Sequence, residues 1–270
     1  MQYIMEESFG VDNRLGYCVF IVTLVSLHCI NILVERRGKP KSARANLDSW
    51  RWRNLVISWI HGLVCGCWSI LSIYNHPEFV YDPVTFNSPM VFYMVVFSTG
   101  YFLYDTIDMV LNKKLIAYWE VTLHHIFVVP GFWYNWHTNI CIGYSLTALT
   151  AEINSFFLHS RKLLQIQNVG FDTILYRTCS YVNLVSFFLC RIIPIGFIVF
   201  HLFGSHGIIH RQQLSVVYVN CFRVIMVIVA VVNVVLFWRL LKTDLIRPFL
   251  KSKRKEQFKI NGNNNQTKEE

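Results

Sequence analysis

The chain has 270 residues, of which 54% are hydrophobic and only 15% are charged, and its mean hydropathy is +0.38. This composition excludes an ordinary soluble domain, because soluble domains carry about 25% charged residues. The formal charge of +9 at pH 7 indicates anionic lipid headgroups as the counter-charge and no nucleic acid partner, since the basic residues lie beside apolar segments.

Seven apolar stretches along the chain each predict a helix that crosses a membrane. About 20 apolar residues cover the ~30 Å of hydrocarbon in a bilayer, at about 1.5 Å per residue. The predicted fold class is therefore all-α, a polytopic bundle of about seven transmembrane helices. In chain order the predicted spans are residues 15–34, 54–74, 90–111, 118–136, 140–158, 181–201 and 214–241.

Basic residues alternate between the connections that join these spans. Residues 35–53 contain seven Lys and Arg, whereas residues 75–88 contain none. Because cytosolic loops are enriched in Lys and Arg, the alternation predicts an N-terminus outside and a C-terminus in the cytosol. Residues 1–45 then form a retained first helix with its basic cytosolic loop, and residues 250–270 form a disordered polar cytosolic tail. The basic cluster at 251–255 predicts either contact with anionic lipid or a stop-transfer signal.

Two carboxylates and two imidazoles are predicted at one depth in the third and fourth spans. Asp105 and Asp108 lie one turn apart on one helix face, and His124 and His125 follow at a similar distance from the same membrane surface. An ionisable group is costly in hydrocarbon, so we expect these side chains to share a sheltered pocket. Pro130 is expected to kink or widen the fourth helix, which opens room for a lipid chain or has no functional purpose.

Further polar residues are predicted to face the interior from the last three spans. Glu152 and Arg191 lie well away from the headgroups and are the expected buried ion pair, because a partner of opposite charge lowers the free energy of a charged side chain in hydrocarbon. Asn154 and Asn233 are more simply explained as side chains that join helices by hydrogen bonds.

The imidazoles and carboxylates are the candidate catalytic groups. An imidazole beside a carboxylate can accept a proton, keep one tautomer, or attack an acyl carbonyl. The alternative interpretation is that these groups only hold helices together. The candidate catalytic residues are His124, His125, Asp105, Asp108 and Glu152, and the candidate supports of a lipid cavity are Tyr101, Tyr104, Asn154, Ser155, Arg191 and Asn233.

Several short motifs resemble one membrane family. The sequence LHHI at residues 123–126, with WE before it, and EINS at 152–155 followed by LHSR at 158–161 resemble the core of the TLC domain, which is shared by TRAM, Lag-type ceramide synthases and a neuronal ceroid protein. WRWRN at 50–54 and the run STGYF at 98–102 resemble the subgroup of TLC domain-containing proteins 1 and 2. The resemblance covers about residues 46–249, which defines the predicted TLC domain.

The resemblance implies a helical bundle around a lipid-accessible cavity. It also implies a role in setting phospholipid acyl composition and membrane fluidity, by restraining the incorporation of polyunsaturated chains, and a location in the plasma membrane, with the endoplasmic reticulum as the alternative. Phospholipids or fatty acyl chains would then be the partners. Ceramide synthases of the family use paired histidines, matched here by His124 and His125, to transfer an acyl group from acyl-CoA.

The chain departs from the ceramide synthase pattern after those histidines. The enzymes continue with a His-Asp pair and a second Asp three residues on, whereas the aligned residues here are Thr150, Glu152 and Ser155. Ceramide synthesis is therefore not expected, although acyl transfer to another lipid stays open, with acyl-CoA as the substrate and no cofactor. Two further alternatives are a zinc-dependent intramembrane amidase, which would use His28 and His61, and a transporter with the acids as a proton relay.

Overall fold

The computed structural model describes residues 10–41, 48–204 and 214–246. The predicted tail at 250–270, with its basic cluster, lies outside the described residues. Within the described ranges every regular element is helical. The helices are α1 Asn13–Arg37, α2 Ser49–Asn75, α3 Pro89–Leu111, α4 Trp119–Thr138, α5 Ile142–Leu149, α6 Ala151–Ile166, α7 Ile174–Phe187, α8 Ile193–Phe203 and α9 Val216–Leu241, with a 3-10 turn at Pro77–Val80 and π turns at Phe188–Ile192 and Lys242–Ile246.

Each predicted span coincides with one helix or with two consecutive helices, so the predicted all-α membrane bundle is confirmed. Within the described residues, five segments are long and apolar enough to cross a membrane. They are α1, α2, α3, the continuous segment Ile174–Phe203, and Val216–Ile246. The exact number of crossings and their orientation stay predictions.

Two spans differ in detail from the prediction, each for a local reason. The fifth is divided at Thr150, whose hydroxyl donates to the carbonyl of Thr147 (2.7 Å) and lies 3.1 Å from that of Cys190. It continues to Ile166, and the charge of Arg161 in this extension is paired with Asp244. The sixth contains the π turn Phe188–Ile192 just before Pro194. Proline has no N–H and its ring crowds the preceding turn, and a wider turn relieves both problems.

The closest helix pair is α2 with α6, and glycine permits it. A Cβ built on Gly62 would lie 2.9 Å from the backbone nitrogen of Phe156, and one built on Gly66 would lie 3.2 Å from the Cα of Ile153. Small residues four apart let two membrane helices approach closely. Gly62 and Gly66 therefore define a seam, here called the glycine seam, that brings the inner faces of α2 and α6 together.

The other helices surround this pair. α3 packs on α2, α4 packs on α3, α7 packs on α6, and α9 packs on α8, with α1 outside against α3 and α2. α5 is almost entirely buried, and its Leu146 joins Phe92 and Trp136 in the main apolar core. The inner faces of α2, α3, α4 and α6 consequently converge on one region.

We predict that Gly62→Ala destabilises the bundle. The added methyl group meets backbone rather than a movable side chain, and such overpacking typically costs about 1–3 kcal/mol. Thermal unfolding of the purified protein in detergent measures the effect. Gly196→Ala is the matched control, because the described structure leaves open space at that position, and an equal loss in both variants would contradict the prediction.

We predict that Asp48→Ala weakens the start of α2. Asp48 accepts hydrogen bonds from Trp50 N (3.1 Å) and Lys114 Nζ (2.6 Å), and the loss of an N-cap costs about 1 kcal/mol. The hydrogen bond from Lys114 holds the pKa of Asp48 below its ordinary value of 3.8. Its contribution is therefore present above that value and is lost as pH falls through the lower folded pKa. Unfolding of both proteins at neutral and strongly acid pH tests this, and a difference that is independent of pH would contradict it.

Candidate functional site

The two aspartates of α3 face different neighbours. Asp108 accepts hydrogen bonds from Trp50 Nε1 (2.7 Å), Asn112 Nδ2 (3.1 Å) and Asn31 Nδ2 (3.4 Å). These donors belong to α1, to α2 and to the residue that ends α3, so Asp108 joins the helices at this end of the bundle. The structure therefore gives Asp108 three amide or indole partners, away from the histidines.

Asp105 lies beside His125 of α4. Its Oδ1 accepts a hydrogen bond from Asn54 Nδ2, and its Oδ2 lies 3.6 Å from His125 Nε2. Both side chains are buried. The structure thus brings one acid of α3 and one imidazole of α4 together, and α2 supplies the residue that orients the acid.

The hydrogen bonds around His125 define its tautomer. Thr106 Oγ1 donates to the carbonyl of Phe102 (2.7 Å), so it accepts from His125 Nδ1 (3.1 Å). The Nδ1 atom then carries the proton, and Nε2 presents its lone pair to Asp105. Nε2 and Asp105 Oδ2, 3.6 Å apart, lie just beyond hydrogen-bond distance, and these two adjacent titratable side chains are here called the acid–base pair.

His124 occupies a different environment from its neighbour. His125 is only 3% exposed, whereas His124 is exposed. The ring of His124 meets the edge of Phe102 at 5.8 Å between centroids, and the charges of Arg191 and Glu152 are near enough to act on it. His124 is therefore the imidazole that a ligand can reach, and His125 is the one that a second residue holds.

Glu152 has a partner that sequence reasoning missed. Its Oε2 lies 3.3 Å from His61 Nδ1, and His61 Nε2 lies 3.3 Å from Ser98 Oγ. The ring of His61 stacks on Tyr101, with centroids 3.7 Å apart and planes within 9°. His61 is completely buried, so Glu152 of α6, His61 of α2 and Ser98 of α3 form a row of polar side chains beside the glycine seam.

The predicted ion pair between Arg191 and Glu152 is wrong as a direct contact. Arg191 Nε donates to Asn154 Oδ1 (2.7 Å) and Nη2 donates to Ser155 Oγ (2.8 Å). The π turn places the guanidinium above these neutral groups, and Asn154 is held in turn by Asn183 and Ser186. Glu152 interacts with His61 instead, and the charge of Arg191 reaches it only through space.

The remaining predicted supports lie around this centre. Tyr101 and Tyr104 are buried in the core beside the acids, whereas Asn233 is buried on α9 and donates to the carbonyl of Val229 in its own helix (2.9 Å). Asn154 and Ser155 both hold Arg191. Of the predicted supports, these two therefore contact the guanidinium of Arg191, and Tyr101 contacts the imidazole of His61.

The residues proposed for zinc are not assembled. His28 is exposed on α1 while His61 is buried behind α3. Within the ranges that the structure describes, no group of three His, Cys, Asp or Glu is arranged to hold a metal ion.

A separate apolar cavity of about 340 Å³ lies at the N-terminal end of α6. It lies between the 3-10 turn, the break at Thr150 and the π turn, and Phe79, Ile153 and Pro194 contribute to its wall. Thr147 and Thr150 also line it, but their hydroxyls are bonded to backbone carbonyls. This cavity offers contact surface to hydrocarbon and contains no part of the acid–base pair.

The fold and the site define a helical membrane protein with a buried centre of histidine and carboxylate. The TLC domain family model matches residues 51–242, so the chain belongs to the TLC domain family, which is linked to lipid metabolism or its regulation. The described structure and this membership together confirm the resemblance found in the sequence.

The curated relatives are similar over most of their length. TLC domain-containing protein 2 of Danio rerio is 33% identical over 220 residues, which cover 82% of this chain and 85% of the relative. TLC domain-containing protein 1 of Homo sapiens is 31% identical and covers 81% of this chain and 86% of the relative. TLC domain-containing protein 2 of Homo sapiens is 29% identical, with 78% of each chain covered. No solved structure matches the chain.

We predict strong coupling between His61 and Glu152. Removing the imidazole leaves the buried carboxylate of Glu152 without its polar neighbour, and an uncompensated buried polar group costs about 1–3 kcal/mol, or more when it is charged. His61→Leu should therefore destabilise the protein severely, and Glu152→Gln in the same chain should recover part of the loss. Thermal unfolding of the two single variants and the double variant gives the coupling energy. Additive losses would show that the two side chains do not depend on each other.

Proposed function

We propose that the protein regulates the acyl composition of membrane phospholipids by binding acyl chains at the site formed by His124, His125, Asp105 and Glu152. In this proposal it restrains the incorporation of polyunsaturated chains and so keeps the membrane more rigid. Membership of the TLC domain family supports a role in lipid metabolism, and the similarity to TLC domain-containing proteins 1 and 2 supports the narrower role. The proposed location is the plasma membrane, with anionic headgroups against the basic end of the bundle.

The observation that carries the proposal is the contact between Asp105 Oδ2 and His125 Nε2 at 3.6 Å, next to the exposed ring of His124. A purely structural role would leave both imidazoles packed and hydrogen-bonded. Here one imidazole is held in a defined tautomer while its neighbour stays accessible in an apolar surrounding. That arrangement suits an acyl group, whose carbonyl is polar and whose chain is not.

Acyl transfer is the second candidate, and the exposure of His124 favours it. A ring nitrogen of His124 would attack the carbonyl carbon of a thioester, and the thiolate of coenzyme A would leave and take up a proton. The acyl group would then pass to a lipid hydroxyl, whose proton a neighbouring base accepts. Asp105 and His125 are that base pair, and the charge of Arg191 stabilises the developing oxyanion.

We predict that His124→Ala with His125→Ala abolishes the effect on membrane lipids. Cells that lack the protein are complemented with the native or the variant chain, and phospholipid acyl composition is measured by mass spectrometry at equal protein level. The polyunsaturated share should fall with the native chain and stay at the uncomplemented level with the double variant. His28→Ala, at an exposed position on α1, is the control and should behave as the native chain. An equal fall with the double variant would overturn the role of these histidines.

We predict that the acyltransferase version releases free coenzyme A. Purified protein in vesicles is given acyl-CoA and a lysophospholipid, and thiol release and labelled phospholipid are followed together. Native protein should form both products in equal amounts, and His124→Ala should form neither. Acyl binding without thiol release would contradict transfer and leave regulation by binding.

A further inference from the structure

Helices α4 and α9 contact each other at two separate levels along their length. At one level Tyr218 donates to Asn135 Oδ1 (2.7 Å) and stacks on Tyr134, with centroids 4.9 Å apart. At the other, Arg239 Nη1 donates to Glu120 Oε1 (3.1 Å). The fifteen-residue step on α4 from Glu120 to Asn135 is about 22 Å long at 1.5 Å per residue. Between the two levels the backbones do not approach as closely as those of the other neighbouring helices.

The α9 wall of this interval is apolar and incompletely covered. A stripe with helical spacing runs between Tyr218 and Arg239, the two residues that contact α4, and it should therefore face α4 along its length. A face packed against a neighbouring helix would be buried, as is the other stripe of α9 that includes Met226. Ile225, Val229, Val232 and Leu236 of the first stripe stay partly exposed, and Phe222 at its beginning packs against Tyr144 of α5, with ring centroids 6.0 Å apart.

The α4 wall has open space on the face that also carries His124. A Cβ added to Gly131 would meet no atom within 4 Å among the described residues. Gly131 lies almost two turns beyond His124, on the same side of the helix, and His124 is itself exposed. The open space beside Gly131 and the exposed ring of His124 therefore lie on the same face of α4.

We infer that this interval is a lateral opening through which one acyl chain of a bilayer glycerophospholipid enters the bundle, with its ester carbonyl near His124. This inference rests on the proposed function and adds the substrate class and its route. Here the opening means the gap between the α4 side at residues 124–131 and the α9 side at residues 222–236.

The side chains on the facing sides of α4 and α9 favour an acyl chain of a glycerophospholipid in this opening. The gap is shorter than the ~30 Å of hydrocarbon and is lined by apolar side chains, so a chain already in lipid crosses it without leaving an apolar medium. The partly exposed pair of Arg239 and Glu120 indicates the polar boundary at one end. His124 lies one turn, about 6 Å, inside that pair. In a glycerophospholipid the ester carbonyls likewise lie just below the charged headgroup.

The test uses a variant that fills the opening without disturbing a packed interface. Gly131→Trp places an indole in the open space, and Gly196→Trp places the same group at another glycine with open space, on α8. Equal thermal stability of the two variants establishes that both are folded. Each protein, with the native chain, is reconstituted in phosphatidylcholine vesicles that contain a phosphatidylcholine with a photoreactive diazirine in one acyl chain.

We predict that illumination labels residues 124–131 and 222–236 more strongly than the exposed face of α8, as mapped by peptide mass spectrometry. Gly131→Trp should lower labelling of these segments several-fold, and Gly196→Trp should leave it unchanged. Labelling that is uniform over all exposed helices, or insensitive to Gly131→Trp, would overturn the opening. Labelling by a photoreactive free fatty acid but not by the phospholipid would overturn the assigned substrate class.

The result is independent of the lipid measurements in cells. If labelling is sensitive to Gly131→Trp while the histidine variant still alters cellular lipids normally, the opening stands and the proposed role of the histidines fails. If the histidine variant loses the cellular effect while labelling ignores Gly131→Trp, the proposed function stands and the opening fails.

Discussion

The glycine seam between α2 and α6 is the constraint on which the site depends. Hydrocarbon offers no hydrogen bonds, so each polar side chain must find its partner inside the protein. Gly62 and Gly66 let α2 approach α6 until His61 reaches Glu152 across the seam. The same helix presents Asn54 to Asp105 one and a half to two turns earlier. One close helix pair thus orients a carboxylate on α6 and one on α3.

The division between the two histidines follows from this packing. His125 points toward α3, where Thr106 bonds its Nδ1 and Asp105 lies 3.6 Å from its Nε2, and His124 is turned about 100° away along the same helix. Consecutive residues on a helix cannot share one environment, so a pair of imidazoles provides one supported ring and one free ring. That difference explains how a site in lipid can be both rigid and accessible.

The helices and the meeting of Asp105 with His125 were predictable, because apolar length and equal depth follow directly from the sequence. The partner of Glu152 was not, since charge alone favoured Arg191 and gave no information on helix rotation. The π turn directs Arg191 to Asn154 and Ser155, and such a turn is visible only in the folded backbone, not in the sequence. Gly62 and Gly66, four apart and next to His61, were the one sequence signal for the α2–α6 contact.

The π turn at Phe188–Ile192 also has an evolutionary meaning. A turn of this kind arises when one residue is inserted into an α-helix, and the insertion is kept where it serves a purpose. A homologue with one residue fewer there would return to regular geometry, and its arginine would be rotated by about 100° relative to α6. A single-residue gap in an alignment of this segment would therefore separate homologues that keep the guanidinium over Asn154 and Ser155 from those that have lost it.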